Sequence, residues 1–324
     1  MKRPIALFAM AVAAAVATTG QTYAQPQYPA KPVKIVVGFA AGGLNDVLAR
    51  LIAQKLTPVM GQAFLVENRP GAGANIAAEY VARSDPDGYT LLLSSAALAI
   101  NPAISPKLTY DAQKDFAPII RITTTKMLIM VNPSVPASTL RELISLAKAN
   151  PGKLNYASAG PGSPIHLASE MFKHAAGIDI VHIPYKGSTP SLTAAVAGEV
   201  QVLVDVMPTA IPLIKSGKLR PIAVAAEKRS AALPEVPTAG EAGLPGFVAT
   251  SWNGVLAPAK TPDGVIRKLN SEIAKIMVSG DMKGRVLELG AEGETSTPEE
   301  FASFLRDETA KWAKAVSAAG IKIE

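Results

Sequence analysis

The sequence contains no cysteine and only three histidines, which are His166, His174 and His182. The absence of cysteine excludes disulfide bonds, thiol catalysis, thiolate metal sites and the lipid-modified cysteine that tethers many exported bacterial proteins. Three histidines are too few for a histidine-rich metal centre. We therefore expect no metal site.

The excess of positive charge is also small, and it is spread along the chain. The sequence has 32 Lys and Arg against 26 Asp and Glu, a formal net charge of +6. Because no basic arm or polybasic patch is present, we expect no nucleic-acid partner. The segment 71–76, Gly-Ala-Gly-Ala-Asn-Ile, lacks the last glycine of the dinucleotide fingerprint, and no phosphate-binding lysine loop occurs. These features predict that no cofactor is bound.

The N-terminus has the pattern of a secretory signal peptide. Lys2 and Arg3 precede an apolar run over residues 5–17, which is shorter than the roughly 20 residues of a membrane-spanning helix. Thr22 and Ala24 place small residues at the positions that a signal peptidase reads. We predict that residues 1–24 are removed, which lowers the formal charge to +4 and leaves an unanchored periplasmic protein.

Strand and helix patterns alternate along the rest of the chain. The β-branched run over residues 33–39 ends in a glycine turn, and apolar residues then recur at helical spacing from Leu44 to Ile52. Further strands are predicted at 64–67, 89–93, 128–131, 154–157, 178–184, 200–204 and 219–225, with helices between them. From Pro262 onward the pattern is wholly helical. Such alternation predicts an α/β fold with mostly parallel sheets flanked by helices.

The strand and helix rhythm occurs in two similar series with no flexible spacer between them. This organisation favours two lobes that are joined by chain crossings and close over a cleft like a flytrap. The crossings are expected near residues 123–131 and 252–258. We accordingly predict one lobe from residues 25–125 and 253–324 and a second lobe from residues 126–252.

Two strand-to-helix loops have the properties of an anion site. The loop 39–46 and the loop 158–163 each lead from a strand into a helix N-terminus, where free N–H groups and a partial positive charge favour an anion. Glycines alone are weak evidence, since tight turns need them without any ligand. The residues that we expect to bind ligand are Phe39, Ala40, Gly42, Gly43, Asn45, Asp46, Ser94, Ser95, Ser158, Ala159, Gly160, Ser163, Tyr185 and Asp205.

Several residues near these loops admit two interpretations. Asp205 either reaches the cleft or caps the helix that begins near Pro208. The Lys186 side chain is expected at the surface more than at the ligand. His166, in the first turn of a helix, is expected to pack or cap and not to bind metal. Trp252 belongs either to the core or to the cleft, and its sequence neighbours do not decide.

Long ordered motifs resemble the periplasmic receptors of tripartite tricarboxylate transporters, the Bug family, over nearly the whole mature chain. The matching segments are 28–32, 39–46, 66–73, 87–92, 156–167, 182–187 and 233–246. The resemblance implies a two-lobed receptor of the type II periplasmic binding class. A receptor of this family is expected to hold a small carboxylate through main-chain groups and to deliver this ligand to membrane transporter subunits, without catalysis. We expect it to act as a monomer. Ala41, Leu44 and Asn45 replace the Pro, Gly and Thr common in the family loop.

Two other functions are consistent with parts of the sequence. A periplasmic binding protein of an ABC transporter would share the architecture. A small α/β hydrolase using Ser158 or Ser163 with a histidine is less well supported, because no Gly-x-Ser-x-Gly elbow occurs and His166 follows the serine loop directly.

Overall fold

The computed structural model describes residues 28–105 and 108–319, so the predicted signal peptide lies outside the described residues. Within these ranges the chain forms ten strands and ten α-helices. The strands are β1 (Val33–Val37), β2 (Phe64–Asn68), β3 (Thr90–Ser95), β4 (Phe116–Val131), β5 (Asn155–Ser158), β6 (Val181–Pro184), β7 (Val202–Val206), β8 (Arg220–Val224), β9 (Thr250–Pro258) and β10 (Glu292–Gly293). The helices are α1 (Leu44–Met60), α2 (Asn75–Ala82), α3 (Ala97–Ile104), α4 (Leu140–Ala149), α5 (Pro164–Ala176), α6 (Ser188–Ala197), α7 (Met207–Lys215), α8 (Asp263–Val278), α9 (Gly280–Glu288) and α10 (Pro298–Ala319).

The molecule has a two-lobed α/β fold, and the strands form one continuous curled sheet. In the first lobe β1 pairs in parallel with β2 and β3, and in the second lobe β5 pairs in parallel with β6 and β7. Parallel strands point their carboxyl ends toward the same edge. The loops after β1, β3, β5, β6 and β7 are therefore positioned to meet at a cleft.

Two long strands connect the lobes, and their pairing is antiparallel. Residues 116–126 of β4 pair with β9, and residues 127–131 of the same strand pair with β7 and β8. The sequence pattern predicted only the last four residues of β4, because the polar segment Thr123–Lys126 interrupts its apolar run. The expectation of parallel pairing therefore holds within the groups β2-β1-β3 and β7-β5-β6, and it fails for every pairing made by β4 or β9.

The C-terminal segment is not wholly helical, contrary to the prediction. Residues Glu292 and Gly293 form the short strand β10, which pairs antiparallel with Thr124 and Thr123 of β4. Two residues carry too little periodicity to be detected, and only the neighbouring strand makes them a strand. Helix α3 was not predicted either, because its residues are apolar on nearly every face: six of its eight residues are buried.

Helix starts follow the local chemistry. Thr139 and Glu142 form the predicted capping box of α4, and Thr297 and Glu300 exchange the same two hydrogen bonds before α10. Ser163 caps α5 by accepting from the His166 N–H at 3.1 Å. The side-chain oxygens satisfy N–H groups that have no partner within the helix. The Ser163 cap therefore fixes the start of α5 a few residues after the carboxyl end of β5.

The hydrophobic core lies on both faces of the sheet. Large side chains such as Ile35, Leu48, Leu91 and Tyr156 are almost fully buried. Trp252 is also core: it is 2% exposed and packs edge to face against Phe301 of α10. In residues 28–105 and 108–319, no helix combines the length and apolar character needed to cross a bilayer.

Candidate functional site

A cavity lies between the two lobes at the carboxyl ends of the strands. It contains about 440 Å³ of space free of protein atoms, its mouth included. Both lobes contribute to its wall, through Phe39, Gly43, Leu44, Asn45, Ser95, Ser251 and Asn253 from the first lobe and its crossing strand, and Ala159, Pro164, Ile165, Ser188 and Val206 from the second. None of these twelve side chains carries a formal charge, so an anion here would be held by neutral donors.

The loop before α1 is shaped by a buried carboxylate. Asp46 is 3% exposed, and its oxygens accept from the Gly42 N–H at 2.9 Å, from Asn68 Nδ2 at 2.9 Å and from Arg50. Burial raises the pKa of Asp46, but the hydrogen bonds from Arg50, Gly42 and Asn68 outweigh burial and hold it below its ordinary value. Asn68 Nδ2 also donates to the Phe39 carbonyl at 3.0 Å. Asp46 therefore fixes the loop and does not line the cavity.

The N-terminal turn of α1 supplies donors to the cavity. Gly43 is its N-cap, and the first N–H groups of a helix have no intrahelical partner. Next to them, Nδ2 of Asn45 is buried and has no hydrogen-bond partner among the described residues. A buried amide donor without an acceptor costs roughly 1–3 kcal/mol, so this group favours a ligand that accepts a hydrogen bond.

The loop after β5 is held by its own side chains. Ser158 Oγ accepts from the Gly160 N–H at 3.1 Å, and His166 Nδ1 accepts from the Gly162 N–H at 3.3 Å. The Ser163 N–H donates to the Gly160 carbonyl at 3.1 Å. These N–H groups are used within the loop. Since Pro164 has no N–H, the Ile165 N–H is the donor that the first turn of α5 can direct at the cavity.

A stack of three aromatic rings supports that loop. The centroids of His166 and His182 are 4.1 Å apart, and His182 lies 4.9 Å from Tyr156. Burial lowers the pKa of both histidines to about 4, although Glu170 opposes the change in each case. Both rings are therefore neutral near pH 7, as the acceptor role of His166 Nδ1 requires.

Ser158 and His182 form a hydrogen-bonded serine and histidine pair, with 2.6 Å between Oγ and Nε2. Such a pair resembles an activated nucleophile. However, Ser158 is completely buried and is not part of the cavity wall. Its Oγ also accepts the Gly160 N–H. The observed role of this pair is to hold the loop.

A second buried carboxylate lies behind the cavity wall. Asp205 is completely buried and accepts from Ser188 Oγ at 2.7 Å and from the Val206 N–H at 2.6 Å. Burial raises the pKa of Asp205 to about 7, although these hydrogen bonds act in the opposite direction. The N-cap of α7 is Val206, so Asp205 is not that helix's cap. Asp205 reaches the cavity only through Ser188, which lines it.

The lobes touch each other beside the cavity. The Ala40 N–H donates to the Lys186 carbonyl at 3.2 Å, and Thr189 Oγ1 donates to the Ala41 carbonyl at 3.3 Å. Gly162 packs so closely that a β-carbon there would lie 2.7 Å from Asn101 Oδ1 of the first lobe. The described conformation is therefore closed over the cavity.

The residues singled out from the sequence divide into three groups. Phe39, Gly43, Asn45, Ser95 and Ala159 line the cavity. Ala40, Gly42, Asp46, Ser158, Gly160, Ser163 and Asp205 hold the surrounding loops or the lobe contact. Ser94 and Tyr185 face elsewhere: Ser94 borders a separate internal space, and the Tyr185 hydroxyl lies 3.5 Å from Glu199.

Sequence reasoning missed several cavity residues. Ser188 follows Gly187 at the start of α6, so its glycine-then-helix pattern was the same signal used for the other two loops. Ser251 and Asn253 lie two residues apart on β9 and face the same side, but a strand that arrives antiparallel cannot be placed at the cleft without the topology. Among the described residues no cluster of three potential metal ligands occurs.

Comparison with known proteins connects this geometry to one group. The sequence profile described as "Tripartite tricarboxylate transporter family receptor" matches residues 48–321. Protein BugT from Bordetella pertussis is 37% identical over 299 residues, covering 92% of each chain.

Two solved structures with bound ligands are similar over almost their whole length. Rpa4515 of R. palustris with adipate has a TM-score of 0.88 and 38% identity, covering 91% of this chain and 99% of its own. MatC from Rhodopseudomonas palustris with bound malate has a TM-score of 0.86 and 34% identity, covering 89% and 100%.

Proposed function

The chain belongs to the tripartite tricarboxylate transporter receptor family, and we propose that it captures a small carboxylate in the cavity between its lobes. The observation that carries this proposal is a cavity at two helix N-termini whose wall has no charged side chain. The wall includes Asn45, and the buried amide of Asn45 has no partner among the described residues. The adipate and malate held by its structural relatives are carboxylates of the same kind. The closed receptor would then present its ligand to membrane transporter subunits.

The carboxylate would be held without a cationic side chain. The first-turn N–H groups of α1, the Ile165 N–H and Asn45 Nδ2 are the donors that we assign to it. Hydrogen bonds to a charged group contribute about 1.5–3 kcal/mol each, so three or four are sufficient for micromolar binding. The partial positive ends of α1 and α5 add to this attraction.

We further propose that residues 1–24 are removed on export and that the receptor acts as a monomer in the periplasm. The lobe boundaries that we assign, near residues 126 and 252, coincide with the change of pairing partner in β4 at Met127 and with the return of the chain along β9. The intact mass of the exported protein tests the removal of residues 1–24. Scattering or ultracentrifugation tests the monomeric state.

We also propose that the receptor has no turnover, because the Ser158 and His182 pair is sealed from the cavity. Incubation with p-nitrophenyl acetate should release no more product than the Ser158→Ala variant does. Product release that disappears in Ser158→Ala would instead show a working nucleophile.

Calorimetric titration with adipate and with malate tests the carboxylate assignment. Binding of either acid is expected to be stoichiometric and to raise the unfolding temperature, because only the folded state binds. Asn45→Asp places a negative charge beside the proposed carboxylate and should weaken binding by at least roughly tenfold. The exposed Asn150, at the end of α4, provides the control Asn150→Asp. Equal effects of the two substitutions would contradict the site.

A further inference from the structure

A second and larger space lies next to the ligand cavity. This groove contains about 1080 Å³ of space, its open side included, and it is bordered by α1, α6 and α7. Its wall is largely apolar, with Val47, Leu192, Val196, Pro212 and Leu213 among its residues. Like the cavity, it is formed by residues of both lobes.

Among the described residues, Leu44 alone borders both spaces. It is the first residue of α1 and follows the N-cap Gly43 directly. Its side chain is 5% exposed, so it fills the position between the two spaces and does not project into solvent. On the second lobe, the partition consists of two neighbouring hydroxyl groups. Ser188 lines the cavity, Thr209 lines the groove, and their hydroxyl oxygens are 3.2 Å apart.

The second-lobe side of this partition is anchored. Ser188 Oγ donates to Asp205 at 2.7 Å, and Thr209 Oγ1 lies 3.5 Å from the same carboxyl group and donates to the Val206 carbonyl at 3.1 Å. The first-lobe half of the partition is the Leu44 side chain alone, at the N-terminus of α1. Changing Leu44 therefore alters the partition without disturbing its anchored half.

We propose that Leu44 is the specificity-determining residue that limits the length of the bound acid, restricting the cavity to short carboxylates. This inference rests on the proposed carboxylate-binding function. With one carboxylate at the donors of α1 and α5, the rest of the acid lies inside the cavity, where Leu44 separates it from the groove. A longer chain has no space unless the partition opens into the apolar groove, where methylene groups would be well accommodated.

A chain-length series tests the proposal without knowledge of the natural ligand. The probes are the linear dicarboxylates from malonate to sebacate, titrated calorimetrically against the wild-type protein, Leu44→Ala and Val47→Ala. Val47 is the matched control, because it lies on the same helix and lines only the groove. Unfolding curves without ligand establish that all three proteins are folded.

The wild-type protein should bind a short dicarboxylate best and lose at least tenfold in affinity beyond its limiting length. In Leu44→Ala the limit should move to longer acids. Each methylene that becomes buried in the groove should then increase affinity about fourfold. Val47→Ala should keep the wild-type length profile. The quantity compared is the ratio of long-acid to short-acid affinity, which is independent of a general weakening by the smaller side chain.

An unchanged length limit in Leu44→Ala would overturn the role of Leu44 while leaving carboxylate capture intact. An equal shift in Val47→Ala would also overturn it, because the groove wall and not the partition would then set the length. If the wild-type protein binds none of these acids, the carboxylate function and the length limit both fail.

Discussion

Ser158 Oγ lies 2.6 Å from His182 Nε2, so a neutral imidazole and a buried hydroxyl share one hydrogen bond beside the cleft. The neighbouring His166 accepts the Gly162 N–H through Nδ1. Both interactions place the loop 158–163 where it contacts the first lobe. The His166 interaction requires a neutral ring, because an imidazolium has no lone pair with which to accept.

The first prediction concerns acid stability. The pKa of His182 is about 4 in the folded chain against an ordinary 6.5, so the unfolded chain binds more protons between these values. The stability that the neutral His182 ring contributes to the folded state is fully present above about pH 6.5 and is lost as the pH falls toward 4. His182→Gln should therefore reduce the slope of unfolding free energy against pH in this window by up to about 1.4 kcal/mol per unit. Urea unfolding between pH 4 and 7 measures the slope.

The control for that experiment is His174→Gln, since His174 is exposed near the end of α5. It should keep the wild-type slope. The charged groups that act on the pair are Glu170, which raises the pKa of both rings, and Lys173, which lowers it. If His174→Gln and His182→Gln change the slope equally, the buried pair is not the titrating element.

The second prediction has the opposite sign. The pKa of Asp205 is raised to about 7 from 3.8, so the folded chain keeps a proton that the unfolded chain has lost. Stability from this group is present below about pH 4 and decreases as the pH rises toward 7. The Asp205→Asn side chain does not titrate. The free energy of unfolding of this variant, relative to that of the wild type, should therefore rise by about 2–3 kcal/mol between pH 5 and 7. Asp179→Asn, at an exposed carboxylate, should show no such gain in urea unfolding.

The third prediction addresses the buried carboxylate of the first loop. Asp46→Ala would leave the Gly42 N–H, the Asn68 amide and the Arg50 guanidinium without their common acceptor. Loss of one partner of a buried charged group should destabilise the fold by about 3 kcal/mol. Because the loop 39–43 then loses its shape, adipate affinity should fall by at least tenfold.

Arg50→Ala provides the comparison for Asp46. The Arg50 side chain is 54% exposed, so its ion pair should contribute less than about 1 kcal/mol. Chemical denaturation and calorimetry measure both variants. An Arg50 effect as large as that of Asp46 would mean that the ion pair, and not the hydrogen bonds to the loop, maintains its shape.

The fourth prediction concerns closure of the lobes. Gly162→Ala would place a β-carbon 2.7 Å from Asn101 Oδ1 across the cleft, and its backbone has φ +79°. Gly177→Ala is a matched control, because its φ is +59° and no atom of the residues that the structure describes lies within 4 Å of the added carbon. Both should lose about 1 kcal/mol of stability from backbone strain. Only Gly162→Ala should reduce adipate affinity and prevent the compaction that we expect small-angle scattering to detect on ligand addition.

The fifth prediction separates long-range attraction from contact. The Lys186 side chain is exposed, whereas its backbone carbonyl accepts the Ala40 N–H across the cleft. Lys186→Ala should therefore slow association of malate in a salt-dependent manner and leave the dissociation rate nearly unchanged. Stopped-flow traces at low and high salt measure both rates. Loss of binding at every salt concentration would show that a lysine side chain holds the anion.

Several features of the molecule follow from the sequence alone. The β-branched run before Gly42 and Gly43 and the apolar stripe of α1 predict a strand, a tight turn and a helix, because each depends on neighbouring residues only. The same is true of the caps Thr139 and Ser163. Together with the family motifs, this local chemistry was sufficient to predict the two-lobed fold and the loops that surround the cavity between the lobes.

Only the tertiary structure decided how those loops divide their roles. Gly42 and Gly43 are adjacent in sequence, yet the Gly42 N–H is used by Asp46 and Gly43 lines the cavity. Asn253 reaches the cleft because β9 runs antiparallel between β3 and β4, a pairing between residues more than 120 positions apart. Leu44 has the sequence signature of a core residue, and its place between two spaces exists only where α1 meets α6 and α7. Periodicity reports which face of an element is buried, but only the packing of distant elements decides what that face meets.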